Sequence, residues 1–328
     1  MSETEEAENN SLEVAIAALN RDYGKLAARV RVLNKEVKCD YDGVTIRLHY
    51  PSFRQGSATV PELVNALAYY LTPFCLSRSE TDAVDELFKS GNLEEFKIRF
   101  QELSDRAKEL FKKAQKATNR NGEGGELLLY LLTEWVLNAP QLIAKMSLKT
   151  NPQMPVHGAD GVHVRYDPTA AKLLLYWGEA KLHSDVGAAI KKTAESIAKS
   201  LQPDTLKHEI NLVRRNISFA GLGDDAKEAL LKYLDPYDES YNQRHDVITC
   251  LVGFDFDGFK QITQADGDTA ETKFADLAAE KLNKLAPAIS AAIKSSKLEH
   301  ATIEMFFFPV PSVKELRDQF QDKIGWSN

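Results

Sequence analysis

Residues 173–183 read LLLYWGEAKLH, five large apolar side chains followed at once by a glycine and then by an acid and a base two positions apart. An unbroken apolar run of this length, free of charge until its end, is the pattern of a strand covered on both faces. Successive side chains on a strand alternate between faces, so Glu179 and Lys181 project to the same side at the end of the run. Glu-x-Lys also occurs at 36–38, 95–97 and 271–273. Those three sit in stretches of helical spacing, where solvated charge explains them; Glu179 and Lys181 differ in terminating an apolar strand.

The preceding segment, HGADGVHVRYDPTAAK (157–172), holds a second β-rich run, and Asp167-Pro168-Thr169-Ala170 between the two runs is a turn signal, so a β-hairpin is expected. With the turn centred between Thr169 and Ala170, Asp160 stands opposite Glu179. Directly opposed side chains lie about 5 Å apart at Cβ, and like charges there destabilise a sheet. A divalent cation between the carboxylates removes that cost, and Mg²⁺ is typically held by one or two carboxylates together with water and substrate phosphate. The other reading of the same residues shifts the turn by one, so that Asp160 caps the strand entry and Glu179 pairs with Lys181. Spacing leaves both open.

Upstream, GELLLYLLTEWVLN (125–138) is a helix apolar on nearly every side and therefore largely buried. Glu126, Tyr130 and Glu134 form its polar stripe at spacings of four, which by itself reads as a solvated edge. Downstream, SDVGAAIKKTAESIAKSL (184–201) reads as a helix with Ser184 or Asp185 as N-cap. Between Gly187 and Asn216 six basic side chains, Lys191, Lys192, Lys199, Lys207, Arg214 and Arg215, face three acidic ones. Lys191, Lys192 and Lys199 are candidates for backbone phosphate contacts or simply a solvated face. His157, His163 and His183 bracket the hairpin; alternation turns His163 away from Asp160 and puts His183 on the face of Glu179 and Lys181, so His183 is the phosphate-contact candidate among them.

The rest of the 328 residues organise around this core. Residues 1–10, with Glu3, Glu5, Glu6 and Glu8 and no Lys or Arg, read as a disordered acidic tail. Residues 11–118 read as a mainly helical region containing one strand, GVTIRLHY (43–50), with a helix over 11–37, others over 59–76 and 83–117, and a break near Ser90-Gly91. The Gly- and Asn-rich tract TNRNGEGGE (118–126) is the best internal boundary, and residues 119–328 form an α/β core that ends in two further strands, DVITCLVGFDF (246–256) and ATIEMFFFPV (301–310). Composition adds exclusions. The net charge of −7 carries no overall basic footprint for free-standing nucleic-acid binding. No run approaches the roughly 18 apolar residues of a membrane span, and the N-terminus lacks a signal peptide, so the expected place is the cytoplasm. Cys39, Cys75 and Cys250 fit neither a disulfide framework nor a zinc site. There is no phosphate-binding GxxxxGK[ST] loop and no GxSxG elbow, and DGDTAE (266–271) lacks the remaining ligands of a calcium loop.

Asp160 followed by Glu179-Ala180-Lys181 resembles the core signature of the PD-(D/E)XK nuclease superfamily, with Ala159 in place of its proline. Through GADGVHV, YWGEAKLH, the lysine-bearing helix, DVITCLVGFDFDGF and IEMFFFPVP, most of the chain resembles the HamA family, effector subunits of the Hachiman anti-phage defence system. The resemblance implies a PD-(D/E)XK-like core of a mixed sheet flanked by helices. It implies Mg²⁺, with Mn²⁺ as a substitute, held by Asp160, Glu179, the Ala180 carbonyl and Glu126, and Lys181 acting on the attacking water or on charge at phosphorus. Lys191, Lys192, Lys199 and His183 would then meet DNA. It further implies a deoxyribonuclease without sequence specificity, restrained by a separate superfamily 2 helicase, HamB; the N-terminal helices, which show no evident catalytic residues, are the expected docking surface for it. The competing expectation is a catalytically silent subunit that keeps the fold to grip DNA or regulate a helicase.

Overall fold

A computed structural model describes residues 3–35, 37–118, 122–148 and 158–326. Its strands are β1 (Val30–Val32), β2 (Val44–Pro51), β3 (Phe53–Arg54), β4 (Ser57–Ala58), β5 (Gln141–Ile143), β6 (Val162–Asp167), β7 (Lys172–His183), β8 (Arg244–Asp255) and β9 (Thr302–Val310). Seven of them form one mixed sheet in the order β1-β2-β9-β8-β7-β6-β5, and β3 and β4 pair by themselves. The four central strands β2, β9, β8 and β7 are mutually parallel, while β1 on one side and β6 and β5 on the other run antiparallel to their neighbours. Parallel strands are covered by helices on both faces, which is why β7, β8 and β9 read as nearly continuous apolar runs. The chain is an α/β protein with a mixed sheet, flanking helices and a mainly helical N-terminal region, the fold class expected from the sequence.

Alternation along β7 divides the apolar interior in two. Leu173, Leu175 and Trp177 face a core shared with the helices Val186–Ser200, Pro203–Asn216 and Ala270–Ser295. Leu174, Tyr176 and Ala180 face the other core, which the helix Glu123–Leu137 fills with Leu127 to Leu132. Leu63, Leu67, Phe74 and Phe111 of the N-terminal helices belong to this second core, together with Phe306 and Phe308 of β9 and Phe320 of the last helix, Val313–Lys323. The N-terminal region therefore has no interior of its own among the described residues, and it donates β1 and β2 to the sheet.

Two local differences from the sequence reading have simple causes. The helix expected over 11–37 ends at Ala17; a separate four-residue helix, Gly24–Ala27, follows, and the chain then extends as β1, where Val30 and Val32 stand opposite Pro51 and His49. β-Branched residues on a sheet edge favour that state over a helix. The acidic N-terminal stretch enters a helix, Glu3–Ala17, whose Leu12 and Ile16 are buried in the first core; that apolar anchor is what composition alone does not register. The expected boundary falls between the helix Leu93–Thr118 and the helix at Glu123, with residues 119–121 outside the described set. His157 and Glu36 lie outside it as well. No helix among the described residues is long and apolar enough to cross a membrane.

Removing residues 1–110 would take β2 from the side of β9 and empty much of the second core. The truncated chain should then lose its cooperative thermal transition and near-ultraviolet circular dichroism. A sharp, parent-like melt of that fragment would show that the rest of the sheet folds without the N-terminal region.

Candidate functional site

The site arises where β6 stops short of β7. Regular pairing runs from Asp167 opposite Lys172 to Val162 opposite Trp177, while β7 itself continues beside β8 as far as His183. Just past the ladder, Gly178 N–H donates to the Gly161 carbonyl at 2.9 Å and Asp160 N–H donates to the Gly178 carbonyl at 2.6 Å. A side chain at Gly178 would bring a Cβ within 3.2 Å of the Gly161 nitrogen, so the close approach needs glycine. The register expected from the turn holds from Asp167 to Val162; beyond it these two bonds set both Asp160 and Gly161 against Gly178, a bulge that leaves Asp160 near Glu179 without a ladder pair between them.

Parts of both readings of Asp160 and Glu179 occur together. The Oδ2 of Asp160 accepts from the Ala180 N–H at 2.9 Å, capping the edge of β7 that β6 leaves open. Two residues on, Arg317 donates to the Leu182 carbonyl at 2.8 Å, and so satisfies another backbone group of the exposed end. The Ala180 carbonyl shares the edge of its own N–H, as strand geometry requires. Glu179 is buried at 5% exposure and is bound directly by the Lys181 ammonium. The Ser196 hydroxyl, on the helix Val186–Ser200, also hydrogen-bonds Glu179.

Burial, and after it the charge of Asp160, raise the Glu179 carboxyl above its usual range, against the opposing pull of Lys181 and Ser196. Burial works against the Lys181 ammonium too, but Glu179, Asp160 and Glu126 outweigh it and hold its pKa above the ordinary lysine value. One cation thus answers three carboxylates. Glu126 comes into range because the N-terminus of its helix lies tightly on the end of β7: a Cβ on Gly125 would meet Leu182 at 3.0 Å and the Ala180 Cβ at 3.6 Å. Glu126 is half-buried and acts on Lys181 through its charge. Among the described residues no three His, Cys, Asp or Glu side chains gather closely enough to hold a metal ion, so the acids that could share one are Asp160 and Glu179.

The polar stripe on the helix Glu123–Leu137 is not a solvated edge. Glu134 is 2% exposed, accepts from the Gln141 N–H at 2.6 Å and from the Tyr23 hydroxyl, and is lifted by burial to a pKa of about 7. Tyr130, also buried, hydrogen-bonds Arg21 and lies near Arg78. Periodicity identified the face; Glu126 acts on Lys181 through its charge, while the other two hold the N-terminal segment.

Lys191, Lys192 and Lys199 are exposed, and Lys191 lies 3.9 Å from Glu195. Lys192 and Lys199 stand four before and three after Ser196, which puts them on the same side of the helix as the hydroxyl bound to Glu179. His183 is half-buried, and its Nδ1 accepts from the Asp185 N–H at 3.1 Å while Asp185 caps the next helix through Ala188. His163 is a core residue: its Nδ1 lies 2.9 Å from the Ala139 carbonyl and burial lowers its pKa to about 4. Ser196 and Arg317 escaped the sequence reading. The lysine spacing around Ser196 was its signal; nothing in the sequence links Arg317 to β7.

An acid whose folded pKa is raised holds its proton more tightly folded than unfolded, so its contribution to stability declines as pH rises from about 4.5 through the raised value. Asp160→Asn removes one cause of that rise and keeps an oxygen for the Ala180 N–H. In EDTA it should melt at or above the parent temperature at neutral pH, and the gap should close as the pH falls toward 4.5, the unperturbed value for Glu179. Calorimetry across that range decides the matter; a parent that melts higher at every pH would mean the two carboxylates do not repel.

No curated protein matches the chain. The family model described as HamA matches residues 29–324, nearly the whole length and every strand of the sheet. The chain belongs to the HamA family and is a component of Hachiman defence.

Proposed function

We propose that the chain is a metal-dependent deoxyribonuclease, the effector that a partner helicase, HamB, restrains and supplies with DNA. The observation that carries this reading is the meeting of Asp160, Glu179 and Lys181 at the open edge of a strand end: a buried acid that the charge of a second one helps to raise, and a lysine bound to it. Repelling carboxylates next to a strand-edge carbonyl are the donor set that suits a hard cation such as Mg²⁺ or Mn²⁺. Asp160, Glu179 and the Ala180 carbonyl would hold it, with Glu126 assisting from the side.

When bound, the cation supplies Lewis-acid polarisation of the scissile phosphate and a water of lowered pKa. The protein's own groups do the rest. Asp160 is held by the Ala180 N–H, so its second oxygen is directed without loss of side-chain freedom at the moment of binding. Lys181, charged and only one-third exposed, can leave Glu179 for a phosphate oxygen and offset charge that develops at phosphorus. Lys192 and Lys199, with Lys191 and His183 further out, would follow the backbone, contacts that carry no sequence information. At a net charge of −7, the isolated chain gains little from counterion release, so delivery by a DNA-bound partner compensates for weak intrinsic affinity.

The test is plasmid cleavage by the chain with its helicase, ATP, and either Mg²⁺ or EDTA. Asp160→Asn, Glu179→Gln and Lys181→Met should each lower the rate by at least about 100-fold, and Glu126→Gln by about 10-fold. Mg²⁺-dependent cutting that survives all three strand-end substitutions overturns the site. A complex that binds DNA and never cuts it in Mg²⁺ or Mn²⁺ would make the chain a silent binding subunit instead.

A further inference from the structure

We infer that Lys145 and Glu209 are positioning residues for Asp160, gripping from behind the segment that carries it. This rests on the nuclease reading, which gives Asp160 its task. Lys145 begins the short helix Lys145–Leu148 and Glu209 lies in Pro203–Asn216. Their side chains are 1% and 2% exposed, with Nζ and Oε2 2.7 Å apart. The same ammonium donates to the carbonyl of Ala159, the residue just before Asp160.

One residue earlier the other half of the pair takes hold. The Oε1 of Glu209 is buried, accepts no hydrogen bond among the described residues, and packs against Gly158, where a Cβ would come within 2.1 Å of it. Gly158 has φ +123°, which side-chain-bearing residues rarely adopt. Consecutive residues are thus fixed in three ways: Gly158 on Glu209, the Ala159 carbonyl on Lys145, and Asp160 between the Gly178 carbonyl and the Ala180 N–H. Only two backbone bonds tie this stretch to β7, since the regular ladder begins at Val162.

A fully buried ion pair is a poor source of stability, because desolvation consumes most of its attraction, and two apolar side chains of similar volume fill such a space as well. What an apolar pair cannot provide is an N–H for the Ala159 carbonyl. A carboxylate that must meet a cation needs placement to a fraction of an ångström, and groups behind the ligands supply it. Lys145 and Glu209 act on Asp160 in this way, through the backbone.

The full-length chain with Lys145→Met and Glu209→Leu together separates placement from folding. Mn²⁺ binding, followed by electron paramagnetic resonance without DNA, should weaken by about 10-fold or more, the melting temperature in EDTA should stay near the parent's, and cleavage with the helicase should fall and partly recover at high Mg²⁺. Gly158→Ala pushes the segment off Glu209 while leaving the pair intact, and should weaken Mn²⁺ binding in the same direction even if the double variant fails to fold. Asp160→Asn is the reference. If it loses Mn²⁺ while Gly158→Ala and any folded double variant bind the ion as the parent does, the positioning role is overturned and the nuclease reading stands. If Asp160→Asn itself binds and cuts normally, the reading beneath it fails first.

Discussion

The register between β6 and β7 is the constraint from which the rest of the site follows. A slip of one residue would turn Glu179 and Lys181 toward the helix Glu123–Leu137 and move Leu174 and Tyr176 out of the second core. Alternation makes that slip costly, because Leu173, Leu175 and Trp177 are committed to one core and Leu174 and Tyr176 to the other. The close contact of Gly161 with Gly178 pins the same register from the backbone side. Because β6 begins only at Val162, the fixed register also leaves an unpaired edge beside the two acids. A longer β6 would have filled that edge with ladder hydrogen bonds and no carboxylate would have been needed there.

The electrostatics of the region follow from this shortfall. An open strand end must find partners for its backbone groups, and it finds them in Asp160 and Arg317. Using a carboxylate as a cap brings a second negative charge close to buried Glu179, and Lys181 answers both of them together with Glu126. The arrangement is tolerable without a cation and would be better with one. That separates it from Lys145 and Glu209, which neutralise each other completely in a drier place and leave their surplus hydrogen-bonding capacity for the segment holding Asp160.

Features of the site encoded over short distances were legible in the sequence. The DPTA turn between two β-rich runs located the hairpin while leaving its register open by one residue, and the apolar run ending in GEAK located the acids and the lysine. Asp185 as a cap, the buried helix from Glu123 and the break at Ser90-Gly91 were readable for the same reason. What stayed hidden depends on partners remote in sequence. Lys145 meets Glu209 across 64 positions and Arg317 meets Leu182 across 135, and no local pattern marks either pair. Edge strand β1, three residues long, is too short for a period-2 signal to override the helical spacing around it. On the helix Glu123–Leu137 the period gave the polar face correctly, but a period cannot say what covers each residue along it, and Glu126, Tyr130 and Glu134 meet three different surroundings.

That same helix links the N-terminal region to the strand end. The Tyr130 ring lies tilted against Phe74, centroids 5.4 Å apart, and Tyr130 hydrogen-bonds Arg21, Glu134 binds Tyr23, and one turn before Tyr130 the helix carries Glu126, whose charge acts on Lys181. Interior packing is dense enough that such an element shifts as a unit rather than bending residue by residue. The N-terminal helices are therefore joined to the lysine shared by the acids through a single helix, whose Gly125 lies tightly on Ala180 and Leu182.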